Sequence, residues 1–465
     1  MLMTFAELQA SIGALFYSGE KSISVLTGGF SECCVDSRKA GIGSLFFALK
    51  GEQIDGHCFV NAAFTAGAVG AVVSKENVSA LKPHADSHAA ALFAVDDTLK
   101  ALQDAAGTYL AKFPSLLKIG ITGSSGKTTT KEIAASIFVC EKGCEKVVMN
   151  QGNLNSETGL PLSVFEVRPQ HEVGVFEMGM NRKGEIAELA RVLKPNIALI
   201  TNIGGAHIGT LGNKNAVAVE KKNIFSQFTG KEAALIPNLD EYRDFLIEGV
   251  RGKASFYEAY SEFTQEYGDN KIIDRGLDGY DLMWNGGWVR FKLPGRHNVK
   301  NAAAAIAIAK EAGVSNDSIG KGLEKVTPLF GRGQVIHGDL TVVNDCYNAN
   351  PESMSAAINF CDAIAWNGRK VYVVGSMLEL GKESQKAHEK IGVALNDSVV
   401  DFIYLFGKET EITARILKKN GKKPFFFTEN MLELIQAFKS FTQIGDLVLL
   451  KGSRGCALER LLNIN

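Results

Sequence analysis

The sequence predicts an α/β chain of three domains, and three observations lead there. A chain of 465 residues exceeds what one hydrophobic core normally supports. Short apolar runs alternate with helical stretches along most of its length, the pattern of a parallel sheet covered by helices on both faces. One such run, Leu116-Leu117-Lys118-Ile119, opens directly into GITGSSGKTTT (residues 120–130), a glycine-rich turn at the start of a helix.

From the N-terminus, residues 44–49 (SLFFAL) form an apolar run of strand length, followed by the turn signals Gly51 and Asp55-Gly56. A helical stretch through Phe64 comes next, then strands over 68–74 and 91–95. Asp96-Asp97-Thr98 caps an amphipathic helix to about Lys112, a connector out of a first small α/β domain, residues 1–97. In the central domain, 98–325, residues 172–176 and 196–201 are compact strands that each end in a polar loop. DLMWNGGWVRFKL interrupts this pattern with an Asn-Gly hairpin signal, and NAAAAIAIAK (301–310) returns to helix. A third α/β section, 326–465, carries strands over 341–344, 370–374, 402–406 and 447–450.

Composition narrows the function classes. Hydrophobic content of 46% and charged content of 22% are those of a globular chain. Fifty basic against 51 acidic side chains leave a net charge of −1, which argues against nucleic-acid or membrane-surface binding as the main task. The one dense basic stretch, residues 418–423, reads as a helix end and turn before a strand at 425–427. The eight cysteines form no C-x-x-C pair and read as ordinary buried thiols of a reducing compartment. No basic residue precedes the first apolar positions, where Glu7 stands, and no run reaches membrane-span length. A soluble, cytoplasmic protein is expected.

The glycine turn fails the pattern G-x-x-x-x-G-K-[ST], because Ile121 stands where the first glycine belongs. Its physics is still that of a phosphate cradle. Gly123 and Gly126 permit positive φ, so successive N–H groups of Gly123, Ser124, Ser125 and Gly126 can turn inward. The helix start at Lys127, Thr128 and Thr129 adds positive potential. Lys127 can neutralise outer phosphates, and the Thr128 hydroxyl can ligate Mg²⁺. A metal needs a second oxygen, and VGVFEMGM (173–180) supplies Glu177 at a strand end. PNIALITNIGGAHIGTLG (195–212) places His207 in another strand-end loop, where open α/β sheets bind ligands. These features leave the reaction open: a small-molecule kinase or P-loop ATPase would explain Lys127, Thr128 and Glu177 equally.

Taken together, T-G-x-x-G-K-T-T, the strand-end Glu177, N-I-G-x-A-H-I-G-x-L-G and H-N-x-x-N (His297, Asn298, Asn301) resemble the Mur ligase family. FGRGQV with Arg332 and DCYNANPESM (345–354) continue the match in family order. In that family the first glycine of the loop stands where Gly120 does. The resemblance implies a first domain for a UDP-muramoyl substrate, a central ATPase domain and a Rossmann-like third domain that closes over ATP. It implies a ligase that turns a carboxylate into an acyl phosphate for attack by an amine, with ATP and Mg²⁺ as cofactors. DSRKAGIGSLFFALKGEQIDGH (36–57), NLNSETGLPL (153–162), GSMLELGKES (375–384) and LLKGSRG (449–455) are most similar to members that join D-alanyl-D-alanine to a UDP-N-acetylmuramoyl-tripeptide.

On that resemblance Ser37 and Arg38 belong to the nucleotide-sugar site, with Asn153 and Asn155 also on the substrate side. Asn298, Asn301 and Asp345 would hold adenine or ribose, and Arg332 would help neutralise the transferring phosphate. VEKKNIF aligns Lys221 with a lysine that is carbamylated in several members and holds a second Mg²⁺ beside His207; Lys222 is its neighbour. Asn223 and Gln334 depart from the family pattern, where glutamate is common. Folylpolyglutamate synthetase is the nearest rival of the same superfamily, and the motif at 36–57 argues against it because such members typically lack that domain. A monomer is expected, with no nucleic-acid partner.

Overall fold

The computed structural model describes residues 1–17, 28–51, 53–258 and 271–463; Glu52 of the N-terminal motif lies outside them. The N-terminal unit is a five-stranded sheet in the order Leu15–Tyr17, Ala91–Val95, Gly70–Ser74, Ser44–Phe47, Glu32–Cys34. All pairs are parallel except the first. Its inner strands are buried along almost their whole length, as continuous apolar runs require when both faces are covered.

Asp97 caps the connecting helix Thr98–Leu110 by accepting from the Lys100 N–H (2.9 Å). Ala101, Leu102, Ala105, Ala106, Tyr109 and Leu110 recur at helical spacing and are buried. They share one core with Phe5, Leu8 and Phe93 of the N-terminal unit and with Phe176, Leu189 and Ile200 beyond it. At about 1.5–3 kcal/mol for each large apolar side chain fully buried, this shared core makes the connector a rigid strut rather than a linker.

The central sheet has six strands, all parallel, in the order Lys253–Tyr257, Ala233–Pro237, Ile197–Ile200, Leu117–Thr122, Val173–Glu177, Val147–Met149. Side chains alternate across it. Ile119, Ile121, Val173, Val175, Ile197 and Leu199 enter one core with the helices Lys127–Lys142 and Arg296–Glu311. Phe176, Ala198, Ile200, Ala234 and Ile236 enter the other. Strand Leu117–Thr122 lies between Ile197–Ile200 and Val173–Glu177, so three neighbouring strands deliver their loops to one carboxyl edge. A three-stranded antiparallel sheet comes next, with the Asn285-Gly286 turn at φ 47° and 78°, the positive values its sequence calls for.

The last unit is a six-stranded sheet in the order Gln334–Ile336, Thr341–Asn344, Leu447–Lys451, Lys370–Gly375, Phe402–Phe406, Phe425–Thr428, antiparallel only at the first pair. The basic stretch is a helix end as expected: Thr410–Asn420 stops at Gly421, which is left-handed at φ 64°.

Some expectations need correction. Cys34, Cys346, Cys361 and Cys456 are buried, but Cys58 and Cys144 are exposed, so the thiols are not uniformly interior. The strands Leu15–Tyr17, Glu32–Cys34, Val147–Met149 and Gln334–Ile336 carried no strand signal, being three residues each and all at sheet edges. Among the described residues no helix is long and apolar enough to cross a membrane.

Candidate active site at the carboxyl edge of the central sheet

The buried strand Leu117–Thr122 runs into the glycine turn, and both glycines are obligatory there. Gly123 has φ +150°, and a Cβ on it would lie 1.8 Å from Thr201 Oγ1. Gly126 has φ +81°, and a Cβ would lie 2.2 Å from Asn301 Oδ1. The helix Lys127–Lys142 then starts with no side-chain cap, which leaves its first-turn N–H groups for a ligand. Ser124 and Ser125 brace the turn from within. The Gly204 N–H donates to Ser124 Oγ (2.8 Å), and the Ser125 N–H donates to Asn202 Oδ1 (3.1 Å). Thr129 is half-buried on the same first turn. Gly126→Ala is expected to lower ATP affinity at least about tenfold by calorimetry, because it sets left-handed strain of about 1–3 kcal/mol on top of the clash with Asn301. Unchanged affinity would mean that loop and asparagine do not meet.

Around this turn the charged groups converge. Among the described residues Lys127 Nζ donates to the Gly123 carbonyl oxygen alone (2.9 Å). Burial holds its pKa below the usual lysine value; Glu177 opposes that shift, and Arg332 adds to it. Thr128 Oγ1 donates to Glu177 Oε2 (2.7 Å) and accepts from Arg332 Nη2 (3.2 Å). The other carboxylate oxygen of Glu177 accepts from Asn155 Nδ2 (2.6 Å). Arg332 also stacks over Tyr347, 4.0 Å from its ring centre.

His207 adopts φ 64°, uncommon outside glycine and asparagine, at the end of the next strand's loop. Burial, then the nearby charges of Lys127 and Lys221, push its pKa down to about 3, so the imidazole is neutral. Its Nδ1 lies 3.6 Å from Glu379 Oε2. The adjacent lysines part company. Lys221 is 1% exposed, with Met180 Sδ at 3.8 Å, and burial beside Lys127 drives its pKa well below the usual value. Lys222 points outward, donating to the Phe245 carbonyl oxygen (2.6 Å).

Thr128 Oγ1 and the Glu177 carboxylate are hard oxygens suited to Mg²⁺ shared with phosphates, whereas the His207 imidazole is a poorer partner and the Lys221 amine offers no oxygen as it stands. Among the described residues no group of three or more His, Cys, Asp or Glu has metal-holding geometry, so a metal held by Thr128 and Glu177 would need ligand oxygens to complete its coordination.

The third unit reaches the same edge. Asn350 Nδ2 donates to Ser125 Oγ (3.0 Å), and Glu352 Oε1 accepts the Gly205 N–H (2.9 Å). Asp345 is ion-paired with Lys451 (2.7 Å), and its charge acts on His297. Asn301 Nδ2 donates to Asn298 Oδ1 (3.0 Å), and Asn298 Nδ2 to the Pro294 carbonyl oxygen (2.7 Å). Lys127, Thr128, Glu177, His207, Lys221, Arg332 and Asn301 are therefore gathered at the turn. Ser37 and Arg38 are not: they sit on the turn Ser37–Lys39, where Arg38 is bound to Asp36 (2.7 Å) and largely exposed. Asn153 is exposed, whereas Asn155 reaches Glu177. Sequence reasoning missed Asn150, Asn202, Glu352, Glu379 and Lys451; all but Asn150 lie inside the motifs N-I-G-x-A-H-I-G-x-L-G, DCYNANPESM, GSMLELGKES and LLKGSRG, which could have pointed to them.

Comparison with known proteins agrees across the chain. The descriptions "Mur ligase family, catalytic domain", "Mur ligase middle domain" and "Mur ligase, glutamate ligase domain" match residues 30–109, 121–309 and 331–454. The UDP-N-acetylmuramoyl-tripeptide–D-alanyl-D-alanine ligase of Treponema pallidum is 42% identical over 469 residues, covering 99% of this chain and 98% of that protein. The enzyme of the same name from Bacillus subtilis is 36% identical, covering 92% and 91%. Among solved structures, MurF from Acinetobacter baumannii superposes with a TM-score of 0.84 at 30% identity, covering 99% of this chain and 97% of that one. MurF from Thermotoga maritima, solved with ADP, gives 0.76 at 27% identity, covering 93% and 96%. With the glycine turn, the strand-end glutamate and the third-unit contacts all in place, the chain belongs to the Mur ligase family.

Proposed function

We propose that the chain is an ATP-dependent ligase joining D-alanyl-D-alanine to the terminal carboxylate of UDP-N-acetylmuramoyl-tripeptide, with ADP and phosphate as the other products. The observation that carries this reading is the 42% identity, end to end, to a ligase of that name. The residues 1–97 would bind the UDP-linked substrate through Ser37 and Arg38, 98–325 would bind ATP, and 326–465 would close over it. Such an enzyme supplies a peptidoglycan precursor in the cytoplasm, and it acts as a monomer.

A carboxylate is a poor electrophile until its oxygen is phosphorylated. Thr128 and Glu177 would hold one Mg²⁺, and His207 with a carbamylated Lys221 a second. Bound there, magnesium draws negative charge off the phosphates. Lys127 gives up its loose contact with the Gly123 carbonyl oxygen to meet the outer phosphates. Arg332, held over the Tyr347 ring, brings charge from the third unit to the same place. The dipeptide amine then attacks the acyl phosphate carbon, the C–O bond to phosphate breaks, and the amine gives up a proton. Asn350 on Ser125 and Glu352 on Gly205 hold the third unit against the turn, which shields the acyl phosphate from water. Asn298, Asn301 and Asp345 line the base and ribose side.

Phosphate release from ATP is expected only when UDP-N-acetylmuramoyl-tripeptide and D-alanyl-D-alanine are both present. Release with neither, or with glutamate and a folate instead, overturns the reading.

A further inference from the structure

Lys131 has no task in this chemistry, yet it is 0% exposed. It lies on the helix Lys127–Lys142, one turn beyond Lys127 and Thr128 and on their face. Its Nζ donates to the Asn150 carbonyl oxygen (2.6 Å) and pairs with Glu132 (3.1 Å). A buried cation persists only where fixed partners replace its water, and here the nearer partner is main chain. Lys131 therefore fixes where the chain runs at residue 150. Asn150 is itself buried, and its whole side chain is engaged by the strand end at Glu177 and by Leu154. Its Oδ1 accepts the Glu177 N–H (2.9 Å), and its Nδ2 donates to the carbonyl oxygens of Glu177 (2.9 Å) and Leu154 (2.8 Å). The segment then returns through Asn155, whose amide holds the Glu177 carboxylate.

We propose that Lys131 is a positioning residue: by joining the nucleotide-turn helix to the segment 150–155, it holds the Glu177 carboxylate opposite Thr128 and the Asn153–Asn155 side ready for the UDP-linked substrate. The substrate half rests on the proposed function; the Glu177 half rests on the bonds alone. A covalent step is not involved. Lys131 acts through Asn150, and through it couples the metal-bearing side of the nucleotide to the second substrate.

Lys131→Met keeps the length of the side chain and removes its charge. Calorimetry measures binding of a non-hydrolysable ATP analogue with Mg²⁺ and with EDTA, and binding of UDP-N-acetylmuramoyl-tripeptide without nucleotide. The affinity gained from Mg²⁺ is expected to fall at least about fivefold in the variant, with metal-free affinity unchanged and the UDP-linked substrate weakened about fivefold. Lys131→Arg is expected to restore most of the Mg²⁺ gain. A lysine that only supports the helix would lower the melting temperature and leave that gain intact, which overturns the proposal. Glu132→Gln is expected to behave as the parent; a loss matching Lys131→Met would assign the effect to the ion pair and overturn it too. If Lys131→Met does not fold, Asn150→Ser carries the same test, and a retained Mg²⁺ gain there counts against the proposal. Should the parent protein turn over neither substrate, the proposed function fails, while the analogue with Mg²⁺ still decides the role of Lys131.

Discussion

Lys127→Met is expected to cut phosphate release about 10³–10⁵-fold, the range seen when a single cation is removed from a phosphoryl-transfer site. At 1.36 kcal/mol per tenfold this is about 4–7 kcal/mol of transition-state stabilisation. Lys127 stands at the N-terminus of its helix, and its Nζ holds only one carbonyl oxygen, that of Gly123. Among the described residues no other hydrogen bond ties it down, so its charge would be free to track the phosphoryl group as negative charge moves along the reaction. Burial and Arg332 disfavour that charge before nucleotide binds, and incoming phosphates reverse the balance. Methionine fills the same volume, so folding should be preserved. Binding of the UDP-linked substrate should stay within about twofold of the parent by calorimetry, because Ser37 and Arg38 sit on a separate unit. Equal loss of turnover and of that binding would mean that the two sites have been exchanged.

The fold was legible where burial writes a pattern. Residues 91–95 and 402–406 are strands with the expected limits, since an inner strand of a covered sheet is an uninterrupted apolar run. The Asn285-Gly286 turn was legible because its geometry demands positive φ twice. Edge strands such as Glu32–Cys34 were not, because a half-exposed three-residue segment satisfies no period. The site divides the same way. Gly123, Gly126, Lys127 and Thr128 are local in sequence and state their chemistry by spacing. Asn150, Glu352 and Glu379 act across the fold, joined to Glu177, Gly205 and His207 by contacts between residues far apart in the chain. Only tertiary structure brings such pairs together. The choice between Lys221 and Lys222 was likewise invisible in VEKKNIF, where both are lysines on one helix. One turns into the interior and the other reaches the Phe245 carbonyl oxygen at the surface.

That division sets up the second large effect. Lys221→Ala is expected to lower turnover about 10²–10³-fold, the scale for removing one fixed electrostatic group from an active site. Lys222→Ala is expected to remain within about twofold of the parent, as a partly exposed residue whose contacts are the carbonyl oxygen and ring of Phe245 should. The reason lies in the surroundings of Lys221: it is 1% exposed, beside Lys127, with the Met180 sulfur as its hydrogen-bond partner. Burial, and then the charge of Lys127, outweigh the opposing carboxylates of Glu220 and Glu177, so the neutral amine is favoured, and only the neutral amine can attack CO₂. The amine nitrogen would bond to the carbon of CO₂ and lose a proton, turning a neutral amine into an anion beside His207 and Glu177. The same burial sets the sign of the pH effect. Because it lowers the pKa, the amine stays reactive at neutral pH, and carbamate is lost as the solution turns acidic and the amine takes its proton back. Protein held in mildly acidic, CO₂-free buffer should lose activity and recover it on return to neutral pH with bicarbonate. Bicarbonate should do nothing for Lys221→Ala. Mass spectrometry under non-acidic conditions should place the added CO₂ on Lys221; recovery without bicarbonate, or modification of Lys222 instead, would remove Lys221 from this role.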